Sequence, residues 1–211
     1  MKASLSLDLD NKWSYMKTHG DSAWESFPSY LPLLVPRVLD LLEERGLQIT
    51  FFIVGQDAAL PQHAGLLGEI SKRGHEIGNH SHYHEPWMHR RGIAAIEDEL
   101  ARADEAIEQA TGKRPRGFRG PGFTRSNEIL EVLRRRGFLY DASSLPTFIG
   151  PLARAYYFRS TALSPSQRAE REDLFGGFGD GFRRNRPHTI ALPNGPIAEI
   201  PVTTFPIFRV P

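Results

Sequence analysis

Three segments of the chain share one punctuation: "LLEERGLQITFFIVG", "LGEISKRGHEIGNH" and "VLRRRGFLYDASS". In each, the charged end of a helix runs into a glycine (Gly46, Gly74, Gly137), and a short apolar or mixed run follows. Glycine just past a helix takes the left-handed conformation without a Cβ penalty, and Lys or Arg in the last turn complements the negative end of the helix dipole. Each unit therefore reads as helix, stop, strand. Its recurrence implies strands running in one direction with helices between them, an α/β fold on a parallel sheet.

The same reading extends along the chain. Alternation predicts a first strand over 3–8. A helix over 35–44 would place Val38, Leu41 and Leu42 on one face, and 49–54 is apolar and rich in β-formers, a buried strand. A helix is expected over 64–73 and a short strand over 75–79. Ile93, Ile96, Leu100, Ala103 and Ile107 mark a long amphipathic helix that stops at Gly112. A strand over 116–119, a helix over 127–136 and a strand over 138–141 follow. Residues 165–187, polar and rich in Arg and Gly ("FGGFGDGFRRNRP"), read as a loop, and 188–192 with 197–202 as a hairpin around "PNGP". No internal boundary stands out, so 1–211 is read as a single domain.

Composition narrows the chemistry. The chain has no cysteine, which excludes disulfides, thiolate metal sites and a cysteine nucleophile. A formal net charge of +1 gives no basic field for nucleic acid. The opening "MKASLSLDLDNKW" lacks the unbroken apolar core of a secretory signal, and no apolar run reaches membrane-spanning length, so a cytoplasmic location is expected. The ending "FPIFRVP" reads like a strand leading onward, and a natural C-terminal piece is expected beyond it.

Histidine is concentrated in one place. "GHEIGNHSHYHEPW" carries His75, His80, His82 and His84, four of the eight in the chain. His80 and His84 share a side whether the stretch is helical or extended; His82 joins them only if it is extended. The pair suits a metal, and equally a polar loop whose imidazoles bond to nearby backbone.

The ends of the expected strands decide more. They deliver Asp8 and Asp10, then His80 and His84, then Arg119 in "GFRGPGF", then Asp141 in "LYDASS". In parallel α/β folds these ends meet on one face, where ligands bind. Asp8 and Asp10 point the same way from an extended segment, roughly 7 Å apart along the chain. That spacing suits a division of labour, one carboxylate on a metal and the other on the metal's water; an acidic strand end facing solvent is the plainer alternative. Two histidines and one carboxylate make a familiar open site for zinc or a similar divalent ion. Arg119 beside Asp8 would aim it and balance its charge.

"SLDLD", "EIGNHSHYHEPW", "GFRGPGF" and "GFLYDASSLP", in this order, resemble the polysaccharide deacetylase (NodB-homology) family. The likeness runs over about residues 3–150, with a weaker echo in "IAEIPVT". It implies a distorted, incomplete (β/α)7-type barrel. It also implies a metal-dependent hydrolase that removes an N-acetyl group from an amino sugar in a glycan or glycan precursor. Cyclic-amide hydrolysis, or carbohydrate binding without catalysis, are the alternatives. The resemblance gives Asp8 the role of catalytic base. Asp10, His80 and His84 become ligands of a divalent metal, zinc first, with cobalt or nickel compatible. Arg119 orients the base. Gly122 stands where the family usually has a tyrosine whose backbone N–H binds the oxyanion. The family's late Leu-x-His, source of the general acid, does not occur, and His188 in "RPHTIAL" lies on the wrong side of its leucine. His82 receives no ligand role and is expected at the cleft rim or in solvent. Trp87, Phe123 and Phe178 are candidates to stack on sugar, at least one of them being core.

Overall fold

A computed structural model describes residues 4–205 and 207–210. Its centre is one sheet of seven strands: β1 (Ser6–Leu9), β2 (Thr50–Ile53), β3 (Glu76–Asn79), β4 (Gly117–Phe118), β5 (Tyr140–Asp141), β6 (His188–Ile190) and β7 (Ile197–Glu199). The spatial order is β1-β2-β3-β4-β5-β7-β6. Neighbours are parallel throughout except the β6–β7 hairpin. Residue 3, the expected start of the first strand, lies outside the described residues. The arrangement is α/β as expected, but the barrel is not closed: β1 and β6 stand at its two edges.

The helices are α1 (Lys12–His19), α2 (Leu31–Glu44), α3 (Gly55–Ala58), α4 (Pro61–Lys72), α5 (Ile93–Thr111), α6 (Asn127–Arg135), α7 (Gly150–Ser160) and α8 (Pro165–Glu170). Gly46, Gly74 and Gly137 all have the positive φ that the punctuation required, between +62° and +85°. None of the described helices is long and apolar enough to cross a membrane. Residues 165–187 are not simply a loop. They contain α8, capped by Ser164, and a 3-10 turn at Phe178–Phe182. Helix α2 also begins earlier and faces differently than expected. Leu31, Val35, Leu39 and Leu42 are buried, and Leu41 is exposed.

The core lies on both faces of the sheet. Phe51, Phe52 and Ile53 of β2 are all buried, as a strand covered on both sides demands. One row crossing the sheet sets the site. Asp8, Phe52, Gly78, Gly117 and Tyr140 lie in register on successive strands. The two glycines leave room for the flanking rings. A Cβ at Gly78 would sit 2.5 Å from Phe52, and one at Gly117 would sit 2.1 Å from Tyr140.

Gly78→Ala must therefore displace the Phe52 ring, and we expect it to cost about 1–3 kcal/mol in urea unfolding. Gly65→Ala in α4, where a new Cβ meets nothing within 4 Å, should instead stabilise by roughly 0.5–1 kcal/mol. A harmless Gly78→Ala would contradict this packing.

Candidate metal centre

The chain turns sharply after β3. His80 N–H still donates to Ile53 O in the ladder at 2.9 Å. Ser81 and His84 then take positive φ, 62° and 51°. Polar side chains hold this bend. Asn79 Oδ1 accepts from Ser81 N–H (2.7 Å), and Ser81 Oγ accepts from His84 N–H (3.1 Å). Buried Glu99 of α5 accepts from the His82 and Tyr83 N–H groups. Local turns of this kind are what Asn and Ser side chains offer the backbone. The result is that the His80 and His84 rings meet edge to face, 4.9 Å between centroids.

Asp10 comes from the segment leaving β1. That segment is pinned by Tyr30, whose hydroxyl donates to Asp10 O, and by Asn11 and Trp13, which both donate to buried Asp57. Asp10 Oδ1 lies 3.3 Å from His80 Nε2 and 3.1 Å from His84 Nε2. One donor atom from each of the three residues falls within 4.8 Å of the others. Asp10 Oδ1 and both ring nitrogens of His84 are buried without a hydrogen-bond partner. Orphaned polar atoms converging on one point are costly unless something shared satisfies them, and a divalent cation fits this donor set.

The supporting shell suits the same reading. His80 Nδ1 lies 2.5 Å from Arg119 O. As its donor, Nδ1 leaves the Nε2 lone pair facing Asp10 and His84. Tyr15 O–H donates to Asp10 Oδ2 at 2.8 Å, fixing the carboxylate so that Oδ1 faces the rings. Burial works to raise the Asp10 carboxyl, but the attraction of His80 and His84 outweighs it and holds the group well below the usual carboxylate range. Burial likewise works to lower His80, and the carboxylates of Asp8 and Asp10 override it and raise the ring.

Asp8 stands beside this triad. Arg119 Nη1 donates to Asp8 Oδ1 at 2.7 Å, Nη2 to Ser6 Oγ at 2.9 Å and Nε to Ala142 O at 3.1 Å. Ser6 and Asp8 are two apart on one strand, so a single guanidinium spans both. Its carbon sits 4.3 Å from the centroid of Phe52. Gly122 (φ 59°) lies in a 3-10 turn at Pro121–Phe123. The turn uses the N–H groups of Phe123 and Thr124; that of Gly122 has no acceptor among the described residues.

These groups share a cleft of about 630 Å³, lined by Asp8, Asp10, His80, His84, Gly122 and Phe123, with Arg119 behind Asp8. Other sequence candidates fall elsewhere. His82 is not at the rim: its Nδ1 is wedged against Gly55 and its ring packs on Tyr83. Trp87 is core, beneath Arg171, and Phe178 is exposed against Phe148, so Phe123 is the one of the three aromatics that lines the cleft. His188 lies on edge strand β6, away from it. Asp141 is fully buried, accepting from Ser143 Oγ. Tyr15, His19 and Arg125 also line the cleft and were missed. "YMKTH" carries a signal for the first two only if α1 is known to start at the strand end.

The family model described as polysaccharide deacetylase matches residues 17–140, which hold His80, His84, Arg119 and Gly122 but begin after Asp8 and Asp10. The chain is 32% identical over 125 residues to the peptidoglycan deacetylase of Helicobacter pylori, 59% of this chain and 40% of that protein. It is 33% identical over 104 residues to the peptidoglycan-N-acetylmuramic acid deacetylase of Bacillus subtilis, 49% of this chain and 38% of that one. The chain thus spans about two-fifths of the length of these relatives. A solved, provisionally assigned polysaccharide deacetylase from Mycobacterium smegmatis shares the fold, with a TM-score of 0.68 at 24% identity over 95% of this chain and 58% of that one. With the family model matching more than half of its residues, the chain belongs to the polysaccharide deacetylase family.

Proposed function

We propose that this protein is a divalent-metal-dependent hydrolase that removes the N-acetyl group from an amino sugar of a glycan, with residues 1–211 acting as one catalytic domain. One observation carries the reading. The orphaned donor atoms of Asp10 and His84 converge with His80 Nε2 beside a second carboxylate, Asp8, that an arginine holds in place. Relatives described as peptidoglycan deacetylases favour an acetylated glycan over the cyclic amide that the sequence also allowed.

In this reading Asp10, His80 and His84 hold the ion, with zinc the first choice and cobalt or nickel suited to the same donors. Bound there, such an ion supplies a Lewis acid for the amide carbonyl and a water acidic enough to ionise near neutral pH. Asp8 is the base. Arg119 occupies its Oδ1, which leaves Oδ2 to accept the proton of the attacking water and to return it to the departing amine as the C–N bond breaks. The free N–H of Gly122 donates to the oxyanion that develops on the acetyl oxygen. The missing side chain costs nothing in that role, since the donor is backbone. Tyr15 keeps the metal-facing oxygen of Asp10 in position.

The direct test is acetate release from peptidoglycan fragments and chitin oligomers by the zinc-loaded protein; no release from either overturns the reading. Asp8→Asn should lower kcat about 10²–10⁴-fold while still binding one zinc per chain, and loss of zinc with activity would assign Asp8 to the metal instead. His84→Asn tolerates the left-handed backbone and should abolish the rise in Tm that zinc gives the wild type. Acid weakens zinc binding because the ion and the proton compete for His80, whose proton affinity the two carboxylates raise. Zinc affinity measured by titration should therefore climb with pH between about 5 and 8, and a flat profile would contradict imidazole ligands.

A further inference from the structure

Positive charge gathers at one edge of the sheet. A depression of about 490 Å³ beside β6 is lined by Arg184, Arg186, His188 and Arg209, with Asn185 and Pro187 between them. No acid lines it. None of its three guanidinium groups has an ion pair or a hydrogen bond among the described residues. Arg183 is different, since Asp180 engages it and it lines the cleft. The whole chain carries a formal charge of only +1, so this concentration is local. Like charges held together repel one another, and an anion that joins them relieves the repulsion.

Bare apolar side chains flank the depression on both sides. Before it, Phe178 and Phe182 pack on Phe148 and are still 61% and 73% exposed. After it come Ile207 and Phe208, 80% and 76% exposed. The two segments are tied together. Asn185 Nδ2 donates to Thr204 O at 2.6 Å, and Thr204 N–H donates to Asn185 Oδ1 at 3.0 Å. The second segment closes on itself, with Phe205 N–H donating to Val210 O and Arg209 N–H to Phe205 O, both at 2.9 Å. Arg184 lies two residues from Phe182, and Arg209 follows Phe208 directly. Cations and rings therefore share one face.

We infer that this face docks on a membrane surface rich in anionic phospholipid, the arginines taking lipid phosphates and the apolar side chains entering the headgroup boundary. Aromatic and aliphatic side chains beside arginine are the combination that seats a protein at that boundary. A free phosphate would account for the guanidinium groups and leave the rings in water. A second copy would cover the rings, but a two-fold interface sets one patch against itself and brings unpaired arginines face to face. Arg183 of the cleft wall precedes Arg184 of the depression, so docking holds the cleft beside the bilayer. The inference does not depend on the proposed hydrolysis.

The test is sedimentation of the protein with vesicles of one-third phosphatidylglycerol and two-thirds phosphatidylcholine, and with vesicles of phosphatidylcholine alone. The wild type should bind the anionic vesicles at least about tenfold more tightly, and added salt should weaken that binding. Arg184→Gln combined with Arg186→Gln should weaken it about 20–30-fold, roughly fivefold for each arginine lost. Arg37→Gln combined with Arg45→Gln removes the same charge from α2 and its end, which pack with β1 and β2 far from β6. That pair should change binding less than about twofold. Phe208→Ala should cost about tenfold and serves alone if the arginine variant fails to fold. No binding to the anionic vesicles, equal binding to the neutral ones, or an equal loss in the α2 pair overturns the docking. Complete displacement by inorganic phosphate at constant ionic strength overturns it too, and assigns the depression to a free anion. A dimer that Phe208→Ala dissolves, with no vesicle binding, overturns it in favour of a second copy.

Discussion

Two imidazoles and a carboxylate share one point here because the chain reverses within a few residues of the end of β3. Asn79 and Ser81 make that reversal possible by replacing ladder bonds with side-chain bonds to Ser81 N–H and His84 N–H. Their cost is two non-glycine residues in the left-handed region. Glu99 then ties the loop to α5, so the bend is over-determined and the rings hold their mutual distance. Without the bend, His84 would run on past the sheet and Asp10 would face one ring.

Arg119 joins the two halves of the site. Its side chain fixes Asp8, and its own carbonyl faces His80 Nδ1. The group that aims the base and the group that orients a metal ligand are therefore one residue, at the end of β4. The row of Phe52, Gly78 and Gly117 beneath it matters for the same reason. Phe52 supplies the face on which the guanidinium lies, and the glycines give Phe52 its place. Packing, backbone and electrostatics converge on the first four strands, and β5 and β7 supply the two acids, Asp141 and Glu199, that face Arg125.

The sequence reveals elements that bury a face or stop on a glycine. Helix α5, with its stripe from Ile96 to Ile107, and the glycine stops after α2, α4 and α6 were legible for that reason. Helix α1 buries only Trp13 and Ser14, and α8 buries nothing, so neither leaves a 3.6-residue pattern. Tyr15 was hidden with α1. In α2 the buried set falls at 31, 35, 39 and 42, and Leu41 is an apolar residue on the wet side, which misled the face. His80, His84, Asp8, Asp10 and Arg119 were readable because strand ends collect on one side of a parallel sheet. Arg125 was not, because its meaning comes from Glu199, seventy-odd residues away and across two strands.

X-ray absorption on the zinc-loaded protein tests the metal centre most directly. The account predicts a four-coordinate ion with two imidazoles at about 2.0–2.1 Å and one carboxylate oxygen, the last position taken by water. A spectrum fitted by oxygen alone, or one unchanged in His84→Asn, would contradict it.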